Sequence, residues 1–570
     1  MIVCIAEKPS VAYEIAKILG AKTKKDGYYE GNGYQVTWTF GHLCQLKSPD
    51  AYRPEWKRWT MAALPIIPAK FEVELIGTPS IKKQFKVIKS LYRNASVVIN
   101  CGDAGQEGEL IQRWVMQLAG VRCPVKRLWI SSLTEEAIQQ GFQHLKPQSD
   151  YDKLYEAGQA RAEGDWLLGM NATRFYTLKH GDNHQVLSVG RVQTPTLAMI
   201  VSHDNEIEHF QAQPFWVLTT RFRDTLFTCT QGRFSSEEEG RSFLASTKRH
   251  QFVVKEVLQK RESEPPPLLY DLTSLQMDCN CQFGFSADTT LKIIQNLYEK
   301  KLTTYPRVDT KYLSDDLYAR CPGILKSLAT ICSGARYLIG RQLPKSKRVF
   351  DSSKITDHHA IIPSGNIKNL SKLNGVEMKV FCLVAHRFCA AFYPNCEYAQ
   401  TVVIATAGQV GFKATGRTIL NEGWRAVYGM TMNVADHDES EDSPLPTFCV
   451  GENGRHIPAL AQKTTTPPKR YTEASLLRAM ESLNIGRPSS RAAIIETLLK
   501  RNYVRREKHH LISTVTGRHL LDVIQAEILK SPELTALWEK KLHEIEQGHY
   551  TLSQFMEELQ QALIGVIHEK

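Results

Sequence analysis

No C-x-x-C pair occurs in this chain of 570 residues, although it holds 13 cysteines. Zinc ribbons need pairs spaced that closely, so no zinc is expected and the cysteines read as buried, reduced thiols. Cys279 and Cys281 form one C-x-C, while Cys382, Cys389 and Cys396 recur every seven residues, as one helix stripe would. A G-x-x-x-x-G-K-[ST] phosphate loop is also missing, so no P-loop chemistry on ATP is provided for. No apolar run approaches the roughly 20 residues of a membrane helix. The chain opens straight into the strand-like Ile2–Ala6 without a basic leader, so a cytoplasmic protein is expected, without a membrane. Nor is the charge extreme: 71 basic against 60 acidic residues leave +11, a modest bias toward a polyanionic partner.

The length calls for several domains of about 100–200 residues each. The first 140 or so residues alternate strand-like and helix-like patterns: Ile2–Ala6 as a buried strand, Ser10–Leu19 as a helix, Ala95–Cys101 as a second buried strand ending at Asp103. Strands apolar throughout and separated by helices predict a parallel sheet covered on both faces. Residues 150–205 read as helical, and 215–258 as alternating and β-rich until Glu264-Pro-Pro-Pro-Leu-Leu269 breaks the pattern. Leu272–Lys301 is helical, as is 377–393, and a second β-rich stretch covers about 399–450. An acidic segment, Asp436–Pro446, and Lys463-Thr-Thr-Thr-Pro-Pro-Lys469 read as loop or linker, and 471–570 is mostly helical. Four domains are expected: 1–148; 149–212 with 461–570; 213–268 with 376–460; and 269–375.

Four motifs carry chemistry. Glu7, Asp103 and Glu107 stand in Ala6-Glu-Lys-Pro-Ser10 and Cys101-Gly-Asp-Ala-Gly-Gln-Glu-Gly108, at strand ends where ligands usually sit. Their hard oxygens suit Mg²⁺; the other reading is an acidic turn capping the next helix, with Glu107 and Glu109 in its first turn. Thr304-Tyr-Pro-Arg-Val-Asp309 offers a tyrosine nucleophile, whose pKa near 10 demands help from nearby charge, or merely a Tyr-Pro turn. Arg307 supplies a bidentate donor for phosphate oxygens. Thr356-Asp-His-His-Ala-Ile-Ile-Pro363 presents paired histidines for a phosphate or a proton, with a structural loop as the alternative. Leu187-Ser-Val-Gly-Arg-Val-Gln-Thr-Pro-Thr196 suits a DNA backbone, or is a plain loop-to-helix turn.

Together these motifs resemble the type IA DNA topoisomerases, on the bacterial topoisomerase III branch. Further blocks agree in family order from Ile2 to about Leu521: Gly41-His-Leu43, Trp129-Ile-Ser-Ser-Leu-Thr-Glu-Glu136, Asp165-Trp-Leu-Leu-Gly169, Tyr471-Thr-Glu-Ala-Ser475 and Gly486-Arg-Pro-Ser-Ser-Arg491. The resemblance implies an α/β multidomain fold in which an N-terminal TOPRIM domain, a parallel sheet with flanking helices, joins helical and β-rich domains in a toroidal clamp. It implies Tyr305 as nucleophile forming a 5′-phosphotyrosine link, Arg307 and His358 at the scissile phosphate, and Lys8 at the leaving 3′ oxygen. Glu7, Asp103 and Glu107 would hold Mg²⁺. Resealing would need no ATP. The activity would be relaxation of negative supercoils and unlinking of DNA by passage through one broken strand.

Where many relatives carry D-x-D-x-E, this chain has Asp103-Ala-Gly105-Gln-Glu107, so one Mg²⁺ is expected rather than a pair. Gln106 replaces a common arginine and Ser490 a usual threonine. For single-stranded DNA, a basic groove with stacking faces is required. Trp59, Arg161, Trp166, Arg174, Ser188, Val189, Gly190, Arg191, Val192, Gln193, Arg307 and Arg491 are the candidates, with packed core as the alternative for Trp166. The substrates would be single-stranded, negatively supercoiled or catenated DNA, bound by a nucleoid-associated monomer. No helicase partner is named by the sequence. A TOPRIM nuclease or primase, sharing Glu7 and Asp103 without needing Tyr305, and an inactive DNA clamp remain the alternatives.

Overall fold

The computed structural model describes the chain except residues 131, 132, 134, 182–184, 356, 357, 430–443 and 569–570. Parts of two quoted motifs, Ser131, Ser132, Thr134, Thr356 and Asp357, and most of the acidic segment therefore lie outside the described residues. Among the described residues, no helix is long and apolar enough to cross a membrane.

Ile2–Ala6 is the centre of a seven-stranded sheet, parallel to Tyr34–Trp38 on one side and to Val97–Cys101 on the other. The strand's period of two divides its side chains between faces. Cys4 and Ala6 pack toward Val11, Ala12 and Ile15 of helix Pro9–Leu19. Val3 and Ile5 pack toward Phe85 and Ile88 of helix Pro79–Arg93 and Leu110 and Trp114 of helix Gln106–Ala119. A strand buried on both sides has no polar face to show, hence the uninterrupted Ile-Val-Cys-Ile-Ala.

A second seven-stranded sheet is antiparallel and assembled from distant segments. Phe252–Glu264 pairs with Cys396–Ala407, which pairs with Val410–Asn421, and Pro214–Phe222 pairs with Ile457–Thr464. Residues 265–395 leave and re-enter this sheet at neighbouring strands, and carry Tyr305 between helices Leu272–Phe283, Ala287–Glu299 and Gly375–Ala390. Helices Asp152–His180, Gln193–Glu208, Glu473–Ser482, Pro488–Lys500, Pro532–Glu546 and Leu552–His568 share one hydrophobic core despite their separation in sequence.

Several expectations need correction. The stretch 215–258 is not all strand: Ser236 accepts a hydrogen bond from Glu239 N and starts helix Glu237–Lys248. The second β-rich stretch ends at Asn421, and a short 3₁₀ turn, Gly423–Val427, follows. Lys463 and Thr464, read as linker, pair with Phe215 and Pro214. Cys382 and Cys389 lie on one helix, but Cys396 begins a strand. Within the C-terminal helices, Val504–Glu507 and His510–Ser513 form a hairpin.

The tyrosine-bearing region closes back on the N-terminal sheet. Lys8 pairs with Glu299 at 3.3 Å, Lys301 with Glu14, and the His358 Nε2 with the Ala104 carbonyl. On its other side, Ala287 N donates to Glu473 at 2.7 Å and Arg491 Nη1 to Thr273 Oγ1 at 2.9 Å. The clamp is shut.

Candidate functional site

A cavity of about 500 Å³ opens where these regions meet, lined by Asp103, Glu107, Arg161, Gly190–Gln193, Tyr305, Arg307 and His358 among others. Its floor is the turn after strand Val97–Cys101. Gly108 lets the following helix press onto that turn, since a Cβ there would lie 2.2 Å from the Asp103 carbonyl oxygen. Beneath, Arg127 and Glu109 form a fully buried pair at 2.8 Å. Arg127 also donates to the carbonyls of Gly102 at 2.7 Å and Asp103 at 2.9 Å. That prop holds the acidic turn in one shape, and the sequence reading missed Arg127.

The nucleophile candidate hangs from the opposite wall. Thr304 N donates to Ile362 O at 3.0 Å and its hydroxyl to Ala360 O at 3.2 Å. This lacing sets the Tyr305 and His358 rings 4.4 Å apart between centroids. Burial, then the charges of Asp103 and Glu7, push the pKa of the Tyr305 hydroxyl well above 10, with Arg307 opposing. Burial likewise raises Glu7, to about 8, reinforced by Asp103. Asp103 is itself raised by burial against the pull of Lys8 and Arg307. Asp103 N points at Glu7 Oε2 from 3.4 Å. Two carboxylates packed so closely resist ionising together unless a proton or cation joins them.

Glu107 differs. Its carboxylate opens into the cavity, 3.5 Å from His42 and 3.9 Å from Arg307, and the hydrogen bond with His42 leads in lowering its pKa. Among the described residues no three His, Cys, Asp or Glu side chains stand arranged as a ready cage. The crowded Glu7–Asp103 pair fits a hard divalent cation with water completing its shell, and the charge of Glu107 adds to the rise in the Glu7 pKa. The acidic-turn reading also holds, because Glu107 and Glu109 both fall in the helix's first turn.

Burial holds His358 near pKa 3, so its ring is neutral. A carbonyl acceptor fixes the proton on Nε2, which leaves Nδ1 a lone pair with no partner among the described residues. The Arg307 Nε and the Gln106 Nε2 are likewise buried without partners. Three unsatisfied polar atoms on residues lining one cavity mark a place for a polar ligand.

The far wall is already neutralised. Arg191 is held by Asp165 at 2.6 Å and Glu539 at 2.7 Å, and Arg161 grips the same Glu539 at 2.6 and 3.0 Å. Burial alone would lower the Arg191 pKa, but those carboxylates drive it up. Ser188 and Gln193 are both bound by Arg501. Val189 is buried, and its N–H donates to Thr173 at 3.0 Å.

Other DNA-contact candidates fall outside the cavity. Trp166 is corrected to packing: its ring meets Phe71 edge-on and its Nε1 donates to Lys47 O. Arg174 is buried, donates to Trp56 O and lies 5.2 Å under Trp59, which keeps an exposed face. Arg491 is buried and spent on Ile485 O and Thr273, whereas Arg487, one turn earlier and unassigned, lines the cavity with Ser489 and Ser490. Gly486 followed by Pro488 at a helix start was the signal for that loop. Asp165, His42 and Glu539 were also missed as site residues; Glu539 had no sequence signal, since only folding brings it there.

Comparison with known proteins adds to this geometry. Residues 149–557 match the DNA topoisomerase family model and residues 2–133 the Toprim domain. The DNA topoisomerase 3 of a Bacillus cereus strain is 37% identical over a 603-residue alignment that takes in 100% of this chain and 81% of that protein. That of Bacillus subtilis (strain 168) is 37% identical over 594 residues, 98% of this chain and 80% of its own length. Among solved structures, full-length topoisomerase I from Thermotoga maritima superposes with a TM-score of 0.78 at 23% identity, covering 100% of this chain and 91% of that one. At that identity the likeness speaks for the fold.

Proposed function

The chain belongs to the type IA DNA topoisomerases, on the topoisomerase 3 branch, and on that premise we propose that Tyr305 is the residue that breaks and rejoins DNA. The activity is ATP-independent breakage, passage and resealing of a single DNA strand. The observation that carries the assignment is the buried Tyr305 lining one cavity together with Asp103, Arg307 and His358.

The Tyr305 oxygen attacks the scissile phosphorus, its proton passing to water in the cavity, and the phosphate's bond to the 3′ oxygen breaks. Phosphotyrosine remains on the 5′ side, and the Lys8 ammonium supplies the proton to the leaving 3′ oxygen. Arg307 faces the phosphate, where a buried guanidinium is worth most as charge builds up. An entering phosphate supplies the negative charge that favours a protonated His358, so Nδ1 takes a proton from water and becomes a donor to the phosphate. Reversal of the same steps reseals the strand, the bond energy having been kept in the phosphotyrosine.

Toprim is a Mg²⁺-binding domain, and the ion would offset the Glu7 and Asp103 charges and help neutralise the phosphate. We assign it to Glu7 and Asp103 with Glu107 adjacent, one ion rather than two, because the middle acid is Gly105. No part is assigned to zinc. The four regions, 1–148, 149–212 with 461–570, 213–268 with 376–460, and 269–375, would act as the sectors of the clamp. Opening must break Lys8–Glu299, a part-exposed pair worth little, and the more buried Lys301–Glu14. Monomeric action in the cytoplasm suffices for this cycle.

The test incubates the protein with end-labelled single-stranded DNA and Mg²⁺, without ATP, followed by a detergent quench. A covalent band, lost in Tyr305→Phe and carrying the DNA 5′ to the protein, is expected. Cleavage by Tyr305→Phe, or cutting without attachment, would favour a nuclease instead.

A further inference from the structure

A second cavity, of about 610 Å³, lies away from the first, at the junction between the tyrosine region and the antiparallel sheet. One wall is Pro266–Leu268 and Ala391–Asn395, the two connections by which the chain leaves and re-enters that sheet. The other is the segment after helix Ser333–Leu338. The size lies within the range of about 300–1,000 Å³ usual for ligand sites.

Its chemistry is one-sided. Between Arg341 and Arg348 the sequence is Arg-Gln-Leu-Pro-Lys-Ser-Lys-Arg, four cations and no acid. No carboxylate lines the cavity. Lys345 has an acidic neighbour, Asp315 at 3.1 Å, while Arg341 and Lys347 have no carboxylate partner among the described residues. Arg341 lies 3.9 Å from the centroid of the Tyr337 ring, and Tyr337 sits 4.9 Å from Tyr393, tilted by 33°. Tyr337 is 45% exposed. Arg348 spends one donor on Pro266 O at 3.2 Å, leaving the rest of its fork open.

A partly exposed aromatic pair beside guanidinium groups that meet no carboxylate among the described residues suits single-stranded nucleic acid, a base on the ring and a phosphate on the fork. We propose that this groove is a second contact for single-stranded DNA, with a base stacked on the Tyr337–Tyr393 pair and the flanking phosphates on Arg341 and Arg348. This goes beyond the cleavage site but rests on the reading that DNA is the substrate. A neutral proline-rich peptide would use the tyrosines and prolines but leave Arg341 and Arg348, the two cations lining the groove, without a negative partner. A strand held here lies against both connections about which the tyrosine region must swing, so occupancy is linked to opening.

The test photo-crosslinks the full-length protein to oligonucleotides bearing 5-iodouracil at successive positions and maps the labelled peptides. Label within residues 337–349 or 391–395 is expected, resistant to excess thymidine monophosphate, as fits a strand rather than a free nucleotide. The double variant Tyr337→Ala, Arg341→Glu, both at exposed positions, should lose that label. It should bind a long oligonucleotide about fivefold or more weaker, the lower limit for one stacked base. Its covalent complex with an oligonucleotide of about 8 residues, enough for one binding site, should stay unchanged. Absence of label from these segments, unchanged affinity in the variant, displacement by the mononucleotide, or occupation by a peptide instead would each overturn the proposal. Crosslinking needs no chemistry at Tyr305, so the two assignments can fail separately.

Discussion

The two sides of the main cavity treat their charges in opposite ways. On one wall, Arg191 and Arg161 share Glu539, and Asp165 completes the set, so every buried cation meets a carboxylate. On the other, Glu7 and Asp103 crowd together with raised pKa values, and His358, Arg307 and Gln106 keep unpartnered atoms. A satisfied network holds geometry; an unsatisfied one awaits a ligand. The difference separates scaffold from chemistry more sharply than residue type does, since both walls contain acids and arginines.

The largest effect that would test this contrast is at the nucleophile. Tyr305→Phe should lower covalent adduct formation on the order of 10³-fold or more while DNA binding measured by anisotropy persists. On the satisfied wall, Arg191→Ala should instead cost stability, about 1–3 kcal/mol in urea unfolding, because Glu539 keeps only Arg161 and Asp165 loses its partner. Arg191→Lys should recover only part, since one ammonium cannot replace the fork. If Arg191→Ala folds normally and only loses DNA binding, the assignment of that wall to scaffold is wrong.

A smaller effect concerns His358. In the folded chain it stays neutral down to about pH 3, whereas the unfolded chain takes the proton near pH 6.5. The unfolded state then binds more protons, so this residue removes stability as pH falls from 6.5 toward 3, about 2 kcal/mol by pH 5. His358→Gln should flatten that part of the wild-type curve of melting temperature against pH; an unchanged curve would show that the imidazole is not buried neutral. The smallest effect is expected of Asp103→Asn. Removing one of two crowded carboxylates should raise the Mg²⁺ needed for cleavage about tenfold, and the metal-free protein should melt no lower than wild type. An unaltered Mg²⁺ titration would remove Asp103 from the ion's ligands.

Legibility in the sequence followed locality. The run Ile2–Ala6, the acidic turn at 103–107 and the tyrosine motif at 304–309 could be read directly, because each is a short segment whose residue types and spacing carry its role. Arg491 was chosen and Arg487 passed over, although they share one motif, because Arg487 caps the helix with extended backbone and lines the cavity, whereas Arg491 lies inside the helix and is held by Ile485 O and Thr273. Trp166 could not be told from a stacking platform until Phe71 and Lys47 were seen against it. Helix Glu237–Lys248 went unnoticed because strand alternation continues on both sides of it.

What the sequence alone determined is the set of local chemistries: a buried parallel strand, a carboxylate turn, a tyrosine beside an arginine, and four family motifs in order. Hydrophobic period and residue type are written residue by residue, so they survive without a fold. Only the tertiary structure decided which charges are neutralised. Glu539 reaches Arg191 across 348 positions, and His358 reaches Ala104 across 254. Pairings of that kind depend on where two distant backbones pass, and burial then fixes whether each charge is compensated or left for a ligand.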